Sequence, residues 1–160
     1  MVNPLPISRY QAQLSAPFGV LGIQCVDSQL TGIAFLGSDA EIFMPQNSFV
    51  SEVALQLQAY FDDAGFQFDL PLKLDGTTHQ LKVWQAMCEI PLGQVQTYGE
   101  LATLIHSSPR AIGQACGNNP IPIIVPCHRV VSKSGLGGFM HRADDGALNI
   151  KKWLLAHERR

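Results

Sequence analysis

The sequence predicts an α/β protein of two domains, residues 1–76 and 77–160. Three observations predict it. Between residues 18 and 72, runs rich in β-branched and aromatic side chains flank one stretch of helical spacing. Asp75-Gly76-Thr77-Thr78 is a cluster of turn formers between two differently composed halves. Residues 77–160 read as mostly short helices, with capping residues at several of their starts. Charge divides at the same place. Residues 1–76 carry two basic and eight acidic side chains, a net of −6, while residues 77–160 carry nine and five, a net of +4. The split lets the second half meet a polyanion despite an overall charge of −2, and it equally lets the two halves attract each other.

In the first half, Phe18–Val26 and Gln29–Leu36 predict a hairpin turning at Asp27-Ser28. Val50, Val53, Ala54, Leu57 and Phe61 recur at helical spacing, with Asn47 or Ser48 to cap the start and Gly65 beyond the end. Phe66, Phe68, Leu70 and Leu72 alternate with other residues and predict a further strand. No catalytic group assembles here, so this half reads as scaffold.

In the second half, Leu81, Trp84, Met87 and Cys88 form one apolar stripe closed by Pro91, with Cys88 as a small core hydrophobe. Thr97-Tyr98-Gly99-Glu100 is a capping box opening a helix with Leu101, Leu104 and Ile105. Ser108-Pro109 supplies a cap and a first-turn proline for the next helix, which ends near Gly117. Two short helices joined by His106-Ser107-Ser108 form a helix-turn-helix pattern. The second carries one charge, Arg110, among the small residues Ala111, Gly113, Ala115 and Gly117. A helical Gly costs about 1 kcal/mol relative to Ala, so these glycines serve a close approach, either of a neighbouring helix or of a nucleic-acid backbone. Such a helix offers little to read bases with, so any DNA binding is largely sequence-independent. A last helix begins near Asp144-Asp145 and carries Leu148, Ile150, Trp153, Leu154 and Leu155, with Glu158 near its end.

Chemistry concentrates at Ile123-Ile124-Val125-Pro126-Cys127-His128-Arg129-Val130-Val131. This apolar run delivers a thiol, an imidazole and a guanidinium into a core, where polar groups need partners. The thiolate is the nucleophilic form of cysteine, and a neighbouring histidine can generate it. The four cysteines, Cys25, Cys88, Cys116 and Cys127, contain no CxxC pair, which argues against a zinc ribbon or disulfide scaffold and for free thiols in a reducing, cytoplasmic setting. No run approaches the roughly 20 apolar residues of a membrane span, and the first residues lack a secretory pattern.

Together these pieces resemble the O6-alkylguanine-DNA alkyltransferases, also called methylated-DNA–protein-cysteine methyltransferases. The resemblance rests on Val83-Trp84, Ile90-Pro91-Leu92-Gly93-Gln94, Thr97–Ala102, Pro109–Gly113, Asn119-Pro120-Ile121, Ile124–Val130 and Lys152–Glu158, which follow one another through residues 77–160. It implies a small α/β N-terminal domain with an antiparallel, RNase H-like sheet. The C-terminal domain would be mainly helical and winged-helix-like, with the helix-turn-helix. The reaction implied is a single transfer of methyl or another alkyl group from O6-alkylguanine in double-stranded DNA to Cys127, with O4-alkylthymine a further candidate. It would need no cofactor and no metal, and a monomer would suffice.

The resemblance also implies roles residue by residue. Cys127 is the alkyl acceptor, and His128 its base acting through a water. Glu158 orients His128. Tyr98 donates a proton toward the departing guanine, and Asn119 ties the recognition helix to the active-site turn. Arg110 fills the gap left by the extruded nucleotide, in a helix that family members lay in the minor groove. Tyr98, Ala111, Gly113, Gln114 and Ala115 complete the DNA contact, while Val130, Phe139 and Met140 line the substrate pocket. The sequence departs from the family at Gly138-Phe139-Met140-His141-Arg142-Ala143, where members have a Gly-Tyr-x-Gly-Gly-like loop. His79 replaces a common aromatic residue, a local packing change. The other histidines, His106, His141 and His157, read as surface or capping groups. Damage sensors related to the family carry Trp in place of the nucleophile, and Cys127 argues against that reading. A Cys-His hydrolase is the remaining rival, but it has no use for Arg110 or the helix-turn-helix.

Overall fold

The computed structural model describes residues 9–159, an α/β arrangement with one three-stranded antiparallel sheet and five α-helices among the described residues. Strand β1 (Ala12–Ala16) pairs with β2 (Gly19–Val26), and β2 pairs with β3 (Gln29–Leu36). The predicted hairpin is β2–β3. Asp27 and Ser28 both take positive φ, 50° and 58°, the two-residue turn whose twist matches the strands it joins. One sheet face buries Leu21, Ile23, Leu30 and Ile33.

Helix α1 (Ser48–Asp62) starts where the Asn47 side chain accepts from the Val50 amide. Val50, Val53, Leu57 and Tyr60 are all buried, one stripe at helical spacing. The predicted strand at Phe66–Leu72 does not form. Phe66, Phe68, Leu70 and Leu72 are indeed half-buried and alternate with exposed neighbours. Yet the segment makes only one parallel bridge, Leu30 to Leu72, through Leu30 N–H to Pro71 O and Lys73 N–H to Leu30 O. Alternation reported which side chains pack, not whether the backbone pairs.

Helix α2 (Thr78–Cys88) opens on a capping box from Thr77 and Gln80 and buries Val83, Trp84, Ala86 and Met87. Cys88 is exposed, not part of the core stripe. A two-residue strand β4 (Gln96–Thr97) leads into α3 (Tyr98–Ile105), whose Thr97–Glu100 box forms both hydrogen bonds. His106 ends α3 in the left-handed region, and α4 (Pro109–Gly117) follows with Ser108 as its cap. A 3-10 turn holds Cys127–Arg129, and β5 (Val130–Val131) pairs parallel with β4. Helix α5 (Asp145–Glu158) closes the chain.

One apolar cluster runs through both halves. Phe18 packs on Trp153, Phe35 on Phe139, and Tyr60 on His157. Ile33 N–H donates to Pro120 O at 3.0 Å, a backbone bond joining the sheet to the segment just before the active-site turn. His157 is therefore no surface residue: it is buried, stacks on Trp153 and hydrogen-bonds the Tyr60 carbonyl at 2.7 Å.

Candidate active site

Helix α4, the 3-10 turn and the 138–143 loop enclose a cavity of about 510 Å³. Cys127, Tyr98, Arg110, Gly113, Phe139 and Met140 line it, so the structure gathers six of the predicted site residues around one opening. Cys116, Gly117 and the outer loop residues complete the wall. Arg110 is exposed at the rim. Apart from its own helix and chain neighbours, nothing lies within 4 Å of the position a Cβ on Gly113 would take. Packing against a neighbouring element therefore does not require its small size.

Four of the predicted DNA-contact and pocket residues lie off this cavity. Ala115 is buried, and its carbonyl accepts from Trp84 Nε1 at 2.9 Å, so it faces the core and leaves the DNA-contact face. Val130 is fully buried and does not line the cavity; the apolar side chain belongs to the core. Ala111 and Gln114 lie off the cavity, half-buried and exposed respectively.

Asn119 is buried and spans the turn: its Nδ2 donates to Val125 O at 2.8 Å and its Oδ1 accepts from the Ile121 amide at 3.0 Å. Cys127 is 3% exposed. Burial pushes its thiol up to about 11, although Asn119 and the charge of Lys151 pull the other way. His128 is completely buried, and that burial lowers its pKa despite the opposing pull of Glu158. At neutral pH the site rests as a thiol beside a neutral imidazole, not as a preformed ion pair.

Glu158 sits behind His128 at the end of α5. Its Oε2 lies 3.0 Å from His128 Nε2. The ring N–H is out of line for a hydrogen bond, however, and neither His128 nitrogen has a protein hydrogen-bond partner. Arg129 makes a two-pronged contact with the carboxylate, Nε to Oε1 at 2.9 Å and Nη2 to Oε2 at 3.0 Å, while its Nη1 donates to Ile90 O. The Tyr60 hydroxyl donates to Oε2 at 2.8 Å. Burial alone would raise the Glu158 carboxyl, but His128 and Arg129 outweigh it and hold it well below the usual carboxylate range.

Tyr98 is half-buried, and burial pushes its phenol up to about 12, so it stays a proton donor at any physiological pH. A Cβ on Gly137 would meet the Tyr98 ring and hydroxyl at 2.8–2.9 Å, and Gly137 has φ +72°, so the position requires glycine on both counts. Beyond it, Phe139 and Arg142 exchange backbone hydrogen bonds around Met140 and His141, both at positive φ. Met140 Sδ reaches to 3.8 Å from Cys127 Sγ. His141 bonds Asn118 Oδ1, in space left by the missing Gly117 Cβ. His79, at the family departure on α2, bonds Ser107 Oγ in the helix-turn-helix turn.

Three contributors were given no role by the sequence: Lys151, Tyr60 and Arg129, the last noted only as a guanidinium needing a partner. Lys151 is fully buried, and its Nζ donates to Val130 O, Leu136 O and Gly138 O at 2.7, 2.6 and 2.8 Å. A signal existed. Ala147, Lys151, Leu154, Leu155 and Glu158 share one buried face of α5, so a lysine stands in an apolar stripe seven residues before the glutamate. Tyr60 likewise ends the buried stripe of α1.

Residues 78–160 match the family described as "6-O-methylguanine DNA methyltransferase, DNA binding domain". Over 157 residues the chain is 38% identical to a methylated-DNA--protein-cysteine methyltransferase of Methanosarcina barkeri, covering 93% of this chain and 96% of that protein. A Mycobacterium bovis protein of the same name is 39% identical over 91% of this chain and 90% of its own. The fold is similar to the crystal structure of Mycobacterium tuberculosis O6-methylguanine methyltransferase, with a TM-score of 0.78 and 37% identity over 92% of this chain and 90% of that one. It is also similar to Mycobacterium tuberculosis OGT in complex with DNA, with a TM-score of 0.74 and 38% identity over 92% and 91%.

Proposed function

This chain belongs to the methylated-DNA–protein-cysteine methyltransferase family, and on that premise we propose that it repairs O6-alkylguanine in double-stranded DNA by moving the alkyl group to Cys127. It is a methyltransferase that acts on DNA by direct reversal. The observation that carries the residue assignment is a nearly buried thiol, Cys127, at the wall of a cavity whose rim is the helix-turn-helix.

The steps follow from the site. Arg110 enters the stack where the damaged nucleotide leaves, at a cost of a few kcal/mol that damage itself reduces. Gly113, where a Cβ would meet no neighbouring element, lets the DNA backbone approach. Burial raises the thiol well above its ordinary value, so little thiolate exists at neutral pH and a base must act during the attack. Neutral His128 takes the thiol proton through a water, and Glu158 stabilises the imidazolium that forms. The sulfur–carbon bond forms as the carbon–oxygen bond breaks. Tyr98 donates its proton toward the departing guanine ring. The product is a thioether with no hydrolytic exit, so each molecule acts once. Phe139 and Met140 flank the alkyl group, and Asn119 fixes the turn that presents Cys127.

The family match beginning at residue 78 supports residues 77–160 as the DNA-binding and acceptor unit, with 1–76 as scaffold. Contacts with phosphate carry no sequence information, so recognition is of the lesion and not its context. No helix among the described residues is long and apolar enough to cross a membrane.

The test is duplex DNA carrying O6-methylguanine. Peptide mass spectrometry should find one methyl group, on Cys127, in stoichiometric yield, and Cys127→Ala should leave the lesion intact. Repeated turnover, or the methyl group on Cys25, Cys88 or Cys116, would overturn the assignment.

A further inference from the structure

Tyr60 lies on α1, in the half of the chain that holds none of the proposed alkyl-transfer groups. Its ring is 2% exposed and packs against Phe61, Phe68 and His157. Apolar packing accounts for the ring but not for the hydroxyl. That hydroxyl is spent on a single partner, Glu158 Oε2, across 98 residues of sequence. Burial, reinforced by the Glu158 charge, raises the phenol's pKa, so it is a fixed donor.

A carboxylate oxygen has two lone-pair directions in its plane. Here Tyr60 and Arg129 Nη2 both donate to Oε2, at 2.8 and 3.0 Å. His128 Nε2 also stands 3.0 Å away, close enough to feel the carboxylate but poorly aligned for a hydrogen bond to it. The imidazole is near the carboxylate's charge yet third in line for its lone pairs. From this geometry we infer that Tyr60 is a positioning residue: by occupying Oε2 it limits how strongly Glu158 binds the His128 imidazolium, and so sets the basicity of His128. The inference rests on the assignment of His128 as the base.

The charges facing the pair are few. Arg129 lies beside Glu158, and Arg129 and Lys151 both disfavour a proton on His128. Cys127 precedes His128 and is a thiol at neutral pH. From α2, the thiol of Cys88 feels the charge of Arg129, and its pKa is raised, not lowered, overall. From α5, His157 turns away to the Tyr60 carbonyl. Among these, Tyr60 is the neutral donor whose removal changes no charge.

Tyr60→Phe keeps the ring and removes the donor. Oε2 then turns to His128, the imidazolium is better bound, and the pKa of His128 rises. The acid limb of the methyl-transfer rate against pH should move up by about half to one pH unit. Duplex affinity should stay close to wild type, since Arg129 still anchors the carboxylate, while Tm should fall modestly with the lost bond to a charged acceptor. In a Glu158→Gln background the same substitution should leave the limb where it is. Fluorotyrosine in place of Tyr60, a stronger donor of nearly the same shape, should move the limb down, and it provides the test if the phenylalanine variant folds poorly. A limb that moves by less than about 0.2 units in both variants, or that moves equally without the Glu158 carboxylate, would overturn the inference and leave Tyr60 a packing residue. Wild-type protein that transfers no methyl group in the same assay would instead overturn the alkyltransferase assignment.

Discussion

Lys151 offers the most direct test of how the pocket is held. Its ammonium is fully buried and donates to three backbone carbonyls, one in β5 just after the active-site turn and two in the segment leading to the lip. Bonds from a charged donor contribute roughly 1.5–3 kcal/mol each. Against them stands the cost of burying the charge, which pulls the ammonium down from 10.5 to about 8. That shift corresponds to about 3 kcal/mol. Lys151→Met keeps the length and apolar stem but leaves Val130 O, Leu136 O and Gly138 O without this donor. The net loss should be about 2–4 kcal/mol. For a chain of this length it should lower Tm by roughly 5–15 °C. Scanning calorimetry at pH 7 reads the stability. A single-turnover assay at a temperature where both proteins are folded reads the rate, which should fall because Gly137 and Gly138 position the lip against Tyr98. Unchanged stability would refute the reasoning, since it would mean the three carbonyls do not depend on this ammonium. Lower stability with an unchanged rate would reduce Lys151 to a staple outside the pocket's organisation.

Two further outcomes follow from the site. Arg110→Ala should slow repair of duplex DNA by roughly tenfold or more, because flipping costs a few kcal/mol, while reaction with the free modified base stays near wild type; equal losses on both substrates would remove Arg110 from the flipping role. The Cys127 thiol, raised from 9.0 to about 11, keeps its proton in the fold after the unfolded chain has lost it. Its contribution, about 3 kcal/mol at most, is therefore complete below pH 9 and disappears as pH rises through about 11. Denaturation between pH 8 and 11 should show a shallower alkaline loss for Cys127→Ala than for wild type. Some loss should persist in both, because burial also raises Cys116 to about 12. Parallel curves would contradict a protonated resting thiol.

What the sequence revealed and what it hid divide along a physical line. Local signals carried through: the caps at Asn47, Thr97 and Ser108, the turn at Asp27-Ser28 and the stripe of α1 depend on neighbours within a few residues, and all formed, whereas Leu81, Cys88 and Leu104 of the later stripes are exposed. The chemistry at Cys127-His128 was legible because polar groups interrupt an apolar run. Phe66–Leu72 misled because a strand is defined by hydrogen bonds to a partner that periodicity does not name. The residues left unassigned, Tyr60, Arg129 and Lys151, share one feature: each spends its polar end on atoms 13 to 98 residues away.

That hidden layer also explains why the two halves hold together as they do. In the proposed reaction Glu158 must be an acceptor at neutral pH for His128 to gain a proton, and an acidic side chain that deeply buried needs donors. The turn supplies Arg129, and α1 supplies Tyr60. The contact that fixes α1 against α5 therefore also satisfies the carboxylate behind the base. A substitution that loosened Phe18 from Trp153 or Tyr60 from His157 would reach the thiol through that carboxylate, without touching the cavity wall. In the proposed reaction the Tyr60 hydroxyl is thus the polar link from α1 to the carboxylate behind the base, beside the apolar contacts and the Ile33–Pro120 bond that join the two halves.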